Sequence, residues 1–139
     1  MDLTFFSGKS RNAGPLSGYA FLVVEDEPFQ AQLISDLING MGGTVQKMAL
    51  TFEQARHAVD QTPFDCAILD INLGGTLSFR IADLLRMRGT PFVFCTAYAD
   101  AVDVYPGAEG TPRLDKPVDE NALLEAVLRV LDPQAAAGQ

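Results

Sequence analysis

The most constraining feature of this sequence is a pair of apolar runs that stop abruptly on carboxylates. Ala20-Phe21-Leu22-Val23-Val24 gives way at once to Glu25-Asp26-Glu27, and Cys66-Ala67-Ile68-Leu69 ends on Asp70. A strand with one wet face alternates apolar and polar residues. A run without alternation predicts a strand covered on both faces, as in a parallel sheet.

The segments around these runs carry a helical period. Pro28 sits where a first helical turn tolerates it, Leu33, Ile34, Leu37, Ile38 and Met41 recur at helical spacing, and Gly42-Gly43 closes the helix. Thr44 to Met48 reads as a short second strand, and Thr51-Phe52-Glu53-Gln54 has the form of a capping box opening a helix to about Gln61. Beyond Gly74-Gly75, Leu77, Ile81, Leu84 and Leu85 mark a third helix ending near Gly89. Pro91 to Cys95 is a fourth apolar strand, finishing at Thr96. A short strand near Arg113-Leu114-Asp115 precedes a last helix, with Asp119 at its N-cap and Leu123, Leu124, Val127, Leu128 and Leu131 on one stripe. Such alternation predicts an α/β fold with a parallel sheet and right-handed crossovers.

One segment breaks the rhythm. Between Ala97 and Pro112 the chain offers Tyr105-Pro106-Gly107 and Gly110-Thr111-Pro112 where another helix is due, which argues for a flexible loop. Tyr98 and Tyr105 read as cover for the sheet there. Residues 1–18, with three glycines and a proline, read as a flexible tail that leaves the role of Phe5 and Phe6 open. The ordered domain is expected over 19–132, with 133–139 a second tail.

At 139 residues the chain suits one domain with a proper core. A net charge of −8 argues against a nucleic-acid surface, which needs a basic patch. No apolar run approaches the ~20 residues that cross a bilayer. The start is not a secretory signal, because Lys9 and Arg11 follow Phe5 and Phe6. A cytoplasmic protein with neither nucleic-acid nor membrane partners is the expectation. Cys66 and Cys95 lie inside apolar stretches with no histidine ligands nearby, so both read as core. His57, mid-helix among polar residues, reads as a solvated surface side chain.

Open parallel sheets bind ligands outside the carboxyl ends of their strands. The predicted strand ends deliver Glu25 and Asp26, Asp70, Thr96, and then Asp115 and Lys116 to that edge. Crowded carboxylates repel unless a cation joins them, and hard oxygen ligands of this kind suit Mg²⁺. A carboxylate beside a metal can attack phosphorus and form an acyl phosphate. Lys116 would add positive charge and the Thr96 hydroxyl a hydrogen bond to the phosphoryl oxygens. Taken singly, each residue has a plainer use: Glu25-Asp26-Glu27 as a helix cap, Asp70 as a turn residue, Lys116-Pro117 as a loop pair. Their order at successive strand ends is what points to chemistry.

Val23-Val24-Glu25-Asp26-Glu27-Pro28, Ile68-Leu69-Asp70-Ile71-Asn72-Leu73, Phe94-Cys95-Thr96-Ala97 and Asp115-Lys116-Pro117 resemble, in order and spacing, the motifs of response-regulator receiver domains. The likeness runs from about Tyr19 to Leu131. It implies a flavodoxin-like five-stranded parallel sheet of order 2-1-3-4-5 with helices on both faces. It implies Asp70 as phosphoacceptor, with Glu25, Asp26, Asp70 and the Asn72 main-chain carbonyl holding Mg²⁺. Thr96 and Lys116 would contact the phosphoryl group, and Lys116-Pro117 would be joined by a cis peptide. The implied partners are a sensor histidine kinase or a histidine phosphotransfer protein, and a downstream protein.

Two positions depart from the family. Arg113 stands three residues before the lysine, where an aromatic is usual. The helix due between the fourth and fifth strands looks short or absent, as in a stand-alone subgroup with a Phe-Ala-Thr-Gly-type motif, in which Cys95 and Ala97 here replace Ala and Gly. With no further domain expected after Leu131, the implied function is a single-domain response regulator that signals by protein contact or drains phosphoryl groups. It would catalyse only its own phosphorylation and dephosphorylation. The alternatives are a pseudo-receiver without phosphotransfer and a small-molecule phosphatase. The second is disfavoured by Asn72, which stands where an acid/base carboxylate is needed.

Overall fold

Burial along the unbroken apolar runs decides how the sheet is covered, because neighbouring side chains on a strand must point to opposite faces. The computed structural model describes residues 14–97 and 110–132. In it β1 (Ala20–Val24), β2 (Thr44–Ala49), β3 (Cys66–Asp70), β6 (Phe92–Thr96) and β7 (Arg113–Asp115) form one sheet. All its neighbours are parallel and the order is β2-β1-β3-β6-β7, the expected order of five strands. A two-stranded antiparallel hairpin, β4 (Asn72–Leu73) with β5 (Thr76–Leu77), stands apart from it. The helices are α1 (Pro28–Gly40), α2 (Phe52–Gln61), α3 (Phe79–Met87) and α4 (Glu120–Leu131).

Alternate strand residues feed two separate apolar clusters. Leu22, Val24, Ala67, Leu69, Phe92 and Phe94 pack with Ala55, Ala58 and Val59 of α2 and Ile81, Ala82 and Leu85 of α3. Phe21, Val23, Cys66, Ile68, Val93, Cys95 and Leu114 pack with Ala31, Ile34 and Ile38 of α1 and Leu123, Ala126 and Val127 of α4. Both cysteines are buried and unpaired, and burial pushes both thiols up to about 12. His57 is exposed, as the polar surroundings in sequence require.

Caps set the helix ends. Thr51 Oγ1 accepts the Gln54 N–H at 3.0 Å, while Gln54 Oε1 reaches back to the Leu50 N–H at 2.8 Å, a capping box shifted by one residue. Asp119 Oδ2 accepts the Ala122 N–H at 2.9 Å. At the end of α1 the N–H groups of Gly42 and Gly43 bond the Asn39 and Ile38 carbonyls, with Gly42 at φ +94°.

Three details differ from the sequence reading. Leu77 is not on the third helix: it closes the hairpin, 48 % exposed, because Gly74 (φ +64°) and Gly75 (φ +97°) make a two-residue turn whose left-handed geometry matches strand twist. On the last helix Leu128 is exposed and Ala126 takes a core position. The ordered chain begins earlier than Tyr19, since Leu16 is fully buried against the α1 cluster and its N–H bonds the Met41 carbonyl at 2.8 Å. The segment predicted to lack a helix falls largely on residues 98–109, Tyr98 and Tyr105 included, and lies outside the described residues.

Candidate functional site

The carboxyl ends of β1, β3, β6 and β7 share one edge of the sheet, so residues just past each run meet there. Asp70 closes β3, beside Cys95 in the register with β6. Thr96 closes β6, and Lys116 follows β7 with its N–H on the Thr96 carbonyl at 3.0 Å. Glu25 leaves β1 with its N–H on the Ala49 carbonyl at 3.0 Å. Glu25, Asp26, Asp70, Asn72, Thr96 and Lys116, all singled out from sequence, line one cavity of about 310 Å³.

Within it, Lys116 is the hub. Its Nζ lies 2.6 Å from Glu25 Oε1 and 3.2 Å from Asp70 Oδ2. Glu25 is 1 % exposed and Asp70 5 %, whereas Asp26 faces solvent. One carboxylate oxygen from each of Glu25, Asp26 and Asp70 falls within 4.8 Å of the others. The Asn72 N–H sits 3.4 Å from Asp70 Oδ1, and the Lys116-Pro117 peptide is cis.

Burial dominates the electrostatics. It pushes Glu25 up to about 7, helped by the Asp70 charge and opposed by the Lys116 hydrogen bond. It also raises Asp70, against the pull of Lys116. Burial alone would lower Lys116, but its hydrogen bond to Glu25 and the Asp70 and Glu25 charges win, and it is raised. The cluster therefore costs free energy when fully ionised, which a bound dication would relieve. Two buried carboxylates, one exposed one and an open cavity fit a hard cation that keeps part of its water shell.

Glu27 and Ser78 complete the setting; the sequence reading named Glu27 only within a capping triplet and gave Ser78 no part. Both Glu27 carboxylate oxygens cap α1, accepting the Phe29 and Gln30 N–H groups at 3.0 and 3.2 Å. The Glu27 N–H itself lies 3.1 Å from Glu25 Oε2. So in the acidic triplet the capping duty belongs to Glu27, which frees Glu25 for the cavity. Ser78 is fully buried and its hydroxyl donates to the Asp70 carbonyl at 2.5 Å, tying the start of α3 to the strand end. The signal for that tie was the glycine pair, which folds residues 72–77 back so that Ser78 returns to Asp70.

Residues 21–128 match the model of the response regulator receiver domain. The chain belongs to the response-regulator receiver family. This receiver is 34 % identical over 108 residues to the transcriptional regulatory protein TcrA of Mycobacterium tuberculosis, a match covering 74 % of the chain and 41 % of TcrA. It is 31 % identical over 116 residues to the signal transduction histidine-protein kinase BarA of Shigella flexneri, covering 78 % of the chain and 12 % of BarA. The receiver thus spans less than half the length of either curated relative. Among solved structures it resembles the PhyR response regulator REC domain of Erythrobacter litoralis, with TM-score 0.75, 27 % identity, and 85 % and 93 % of the two chains covered. A CheY-like receiver domain protein from Methanospirillum hungatei shares the fold at TM-score 0.73 and 23 % identity, over 86 % and 98 % of the two chains. A receiver is a signalling domain of two-component systems, and its relatives here include both response regulators and a histidine kinase. No helix among the described residues is long and apolar enough to cross a membrane.

Proposed function

We propose that this receiver accepts a phosphoryl group on Asp70 from a histidine kinase or a histidine phosphotransfer protein, in a Mg²⁺-dependent reaction. The observation that carries the reading is the buried Glu25–Lys116–Asp70 arrangement, with three carboxylate oxygens within 4.8 Å of one another at the sheet edge. An Asp70 carboxylate oxygen attacks phosphorus of a phosphohistidine. A P–O bond forms as the P–N bond breaks, and the electron pair leaves with the imidazole nitrogen, which takes its proton from solvent. Glu25, Asp26, Asp70 and the Asn72 carbonyl would hold Mg²⁺, whose charge neutralises the phosphoryl oxygens. Lys116 adds a second positive charge from inside the cavity, and the Thr96 hydroxyl donates to a phosphoryl oxygen. Ser78 positions Asp70 by holding its carbonyl.

In this reading the phosphorylated domain acts in the cytoplasm, by binding a downstream protein or as a sink for phosphoryl groups. Intact mass after incubation with Mg²⁺ and a small acyl phosphate tests the chemistry. One labile phosphoryl adduct is expected on the parent and none on Asp70→Ala. No adduct on either, with folded protein and a phosphorylated kinase domain also tried, would favour a pseudo-receiver. That second reading rests on Arg113 at the usual aromatic position and on the closer approach of Lys116 to Glu25 than to Asp70.

A further inference from the structure

Gln30 borders the carboxylate cavity, and the phosphotransfer reading leaves it without a part. It stands one helical step of four before Ile34 and two before Ile38, both buried in the α1–α4 cluster, so it continues a core stripe of α1. Where that stripe reaches Gln30 the apolar cluster has ended and the cavity begins, lined by Gln30 together with Glu25, Asp26, Asp70 and Lys116. The position is fixed locally, because the Gln30 N–H is held by Glu27 Oε2 at 3.2 Å. A helical side chain also leans back toward the start of its helix, here toward the junction that carries Glu25 and Asp26. The residue is partly buried, and its carboxamide oxygen is shut off from solvent with no hydrogen-bond partner among the described residues. A buried acceptor left unmet is costly, so a polar residue in a core stripe beside a cavity calls for a donor that arrives with the occupant.

We infer that Gln30 is a positioning residue for the metal: its carboxamide oxygen accepts a hydrogen bond from a water held by Mg²⁺ and so tightens the hold of the site on the ion. The inference rests on the Mg²⁺-dependent reading of the site. The chemistry narrows the donor. A metal ion and a phosphoryl dianion have no proton to give, and the Lys116 ammonium is engaged with Glu25 and Asp70 at 2.6 and 3.2 Å. Water on Mg²⁺ does have one, for this ion sheds its waters reluctantly and keeps several of them. Its charge also makes those waters stronger donors than bulk water. A carboxamide meets such a water without adding a further negative charge to a site that already gathers three carboxylates.

The test is calorimetric titration with Mg²⁺, beside metal-free thermal melts, on the parent, Gln30→Met and Gln30→Glu. Gln30→Met keeps the length and loses both polar ends. It is expected to weaken Mg²⁺ binding about tenfold, as loss of an outer partner of a metal site does. Its metal-free melting temperature should equal or exceed that of the parent, because the unmet acceptor is gone. A merely structural role would not move the two readouts in opposite directions. Gln30→Glu keeps an acceptor in place and should bind Mg²⁺ at least as tightly as the parent, which carries the test even where Gln30→Met folds poorly. Parent-like affinity in Gln30→Met, a joint fall of its affinity and metal-free stability, or weakened binding in Gln30→Glu would overturn the inference alone. A folded parent that takes up no Mg²⁺ would overturn the metal-dependent reading and this inference together.

Discussion

Lys116 holds one ammonium against two buried carboxylates, and that imbalance is measurable as a pH effect. Glu25 titrates near 7 in the fold against 4.5 ordinarily, so between those values the native state keeps a proton that the unfolded chain releases. The unfolded state then binds fewer protons, and stability must fall as pH rises through this window. Thermal melts of metal-free protein should therefore lose stability from about pH 5 to pH 8, and the loss should shrink in Glu25→Gln. A second residue-scale expectation concerns Ser35, whose buried hydroxyl has no hydrogen-bond partner among the described residues. Ser35→Ala should leave the fold unchanged or stabilise it by about 1 kcal/mol in urea titrations. The gathering of Glu25, Asp26, Asp70, Thr96 and Lys116 at one cavity was legible in sequence because an apolar run stops where its strand reaches solvent, so its next residue is aimed at the edge. Which acid of Glu25-Asp26-Glu27 would cap the helix was not legible. That depends on the angle at which β1 meets α1, and backbone direction leaves no mark on three consecutive carboxylates.

At the scale of elements, caps and close approaches carry the specificity. Thr51→Ala removes the acceptor of the Gln54 N–H and should cost about 1 kcal/mol, read by chemical denaturation. Gly43 is more demanding, for a reason unrelated to backbone angles. A Cβ there would come within 2.7 Å of Ile38 Cγ2 and 2.9 Å of Phe21 Cε1. Gly43→Ala should therefore destabilise by about 1–3 kcal/mol, the range for overpacking a tight contact. Strands and helices were readable from periodicity and capping residues alone. The hairpin of residues 72–77 was not, since two strands of two residues are too short to show a period. Leu77 falls at helical spacing from Ile81 and Leu84 only by coincidence of count. What decides the matter is the pair of left-handed glycines, which turn the chain before a helix can start.

For the molecule as a whole, divalent metal is the expected stabiliser. If Mg²⁺ binds the native state alone, a hundredfold excess over its Kd should add about 2.7 kcal/mol and raise the melting temperature accordingly. Asp26→Asn relieves repulsion among the site carboxylates, so it should raise metal-free stability while blunting the response to Mg²⁺. The same melts, with and without metal, check both. The sheet itself has a wider consequence. Since its two faces feed clusters with no member in common, the described residues form two hydrophobic interiors separated by a wall of backbone. Among the described residues the two clusters share no side chain, so Ile34→Val and Ile81→Val should sum to within about 0.5 kcal/mol when combined. Each interior is then free to be rewritten on its own, and a chain of this kind can change the helices it shows to one partner without disturbing those it shows to another.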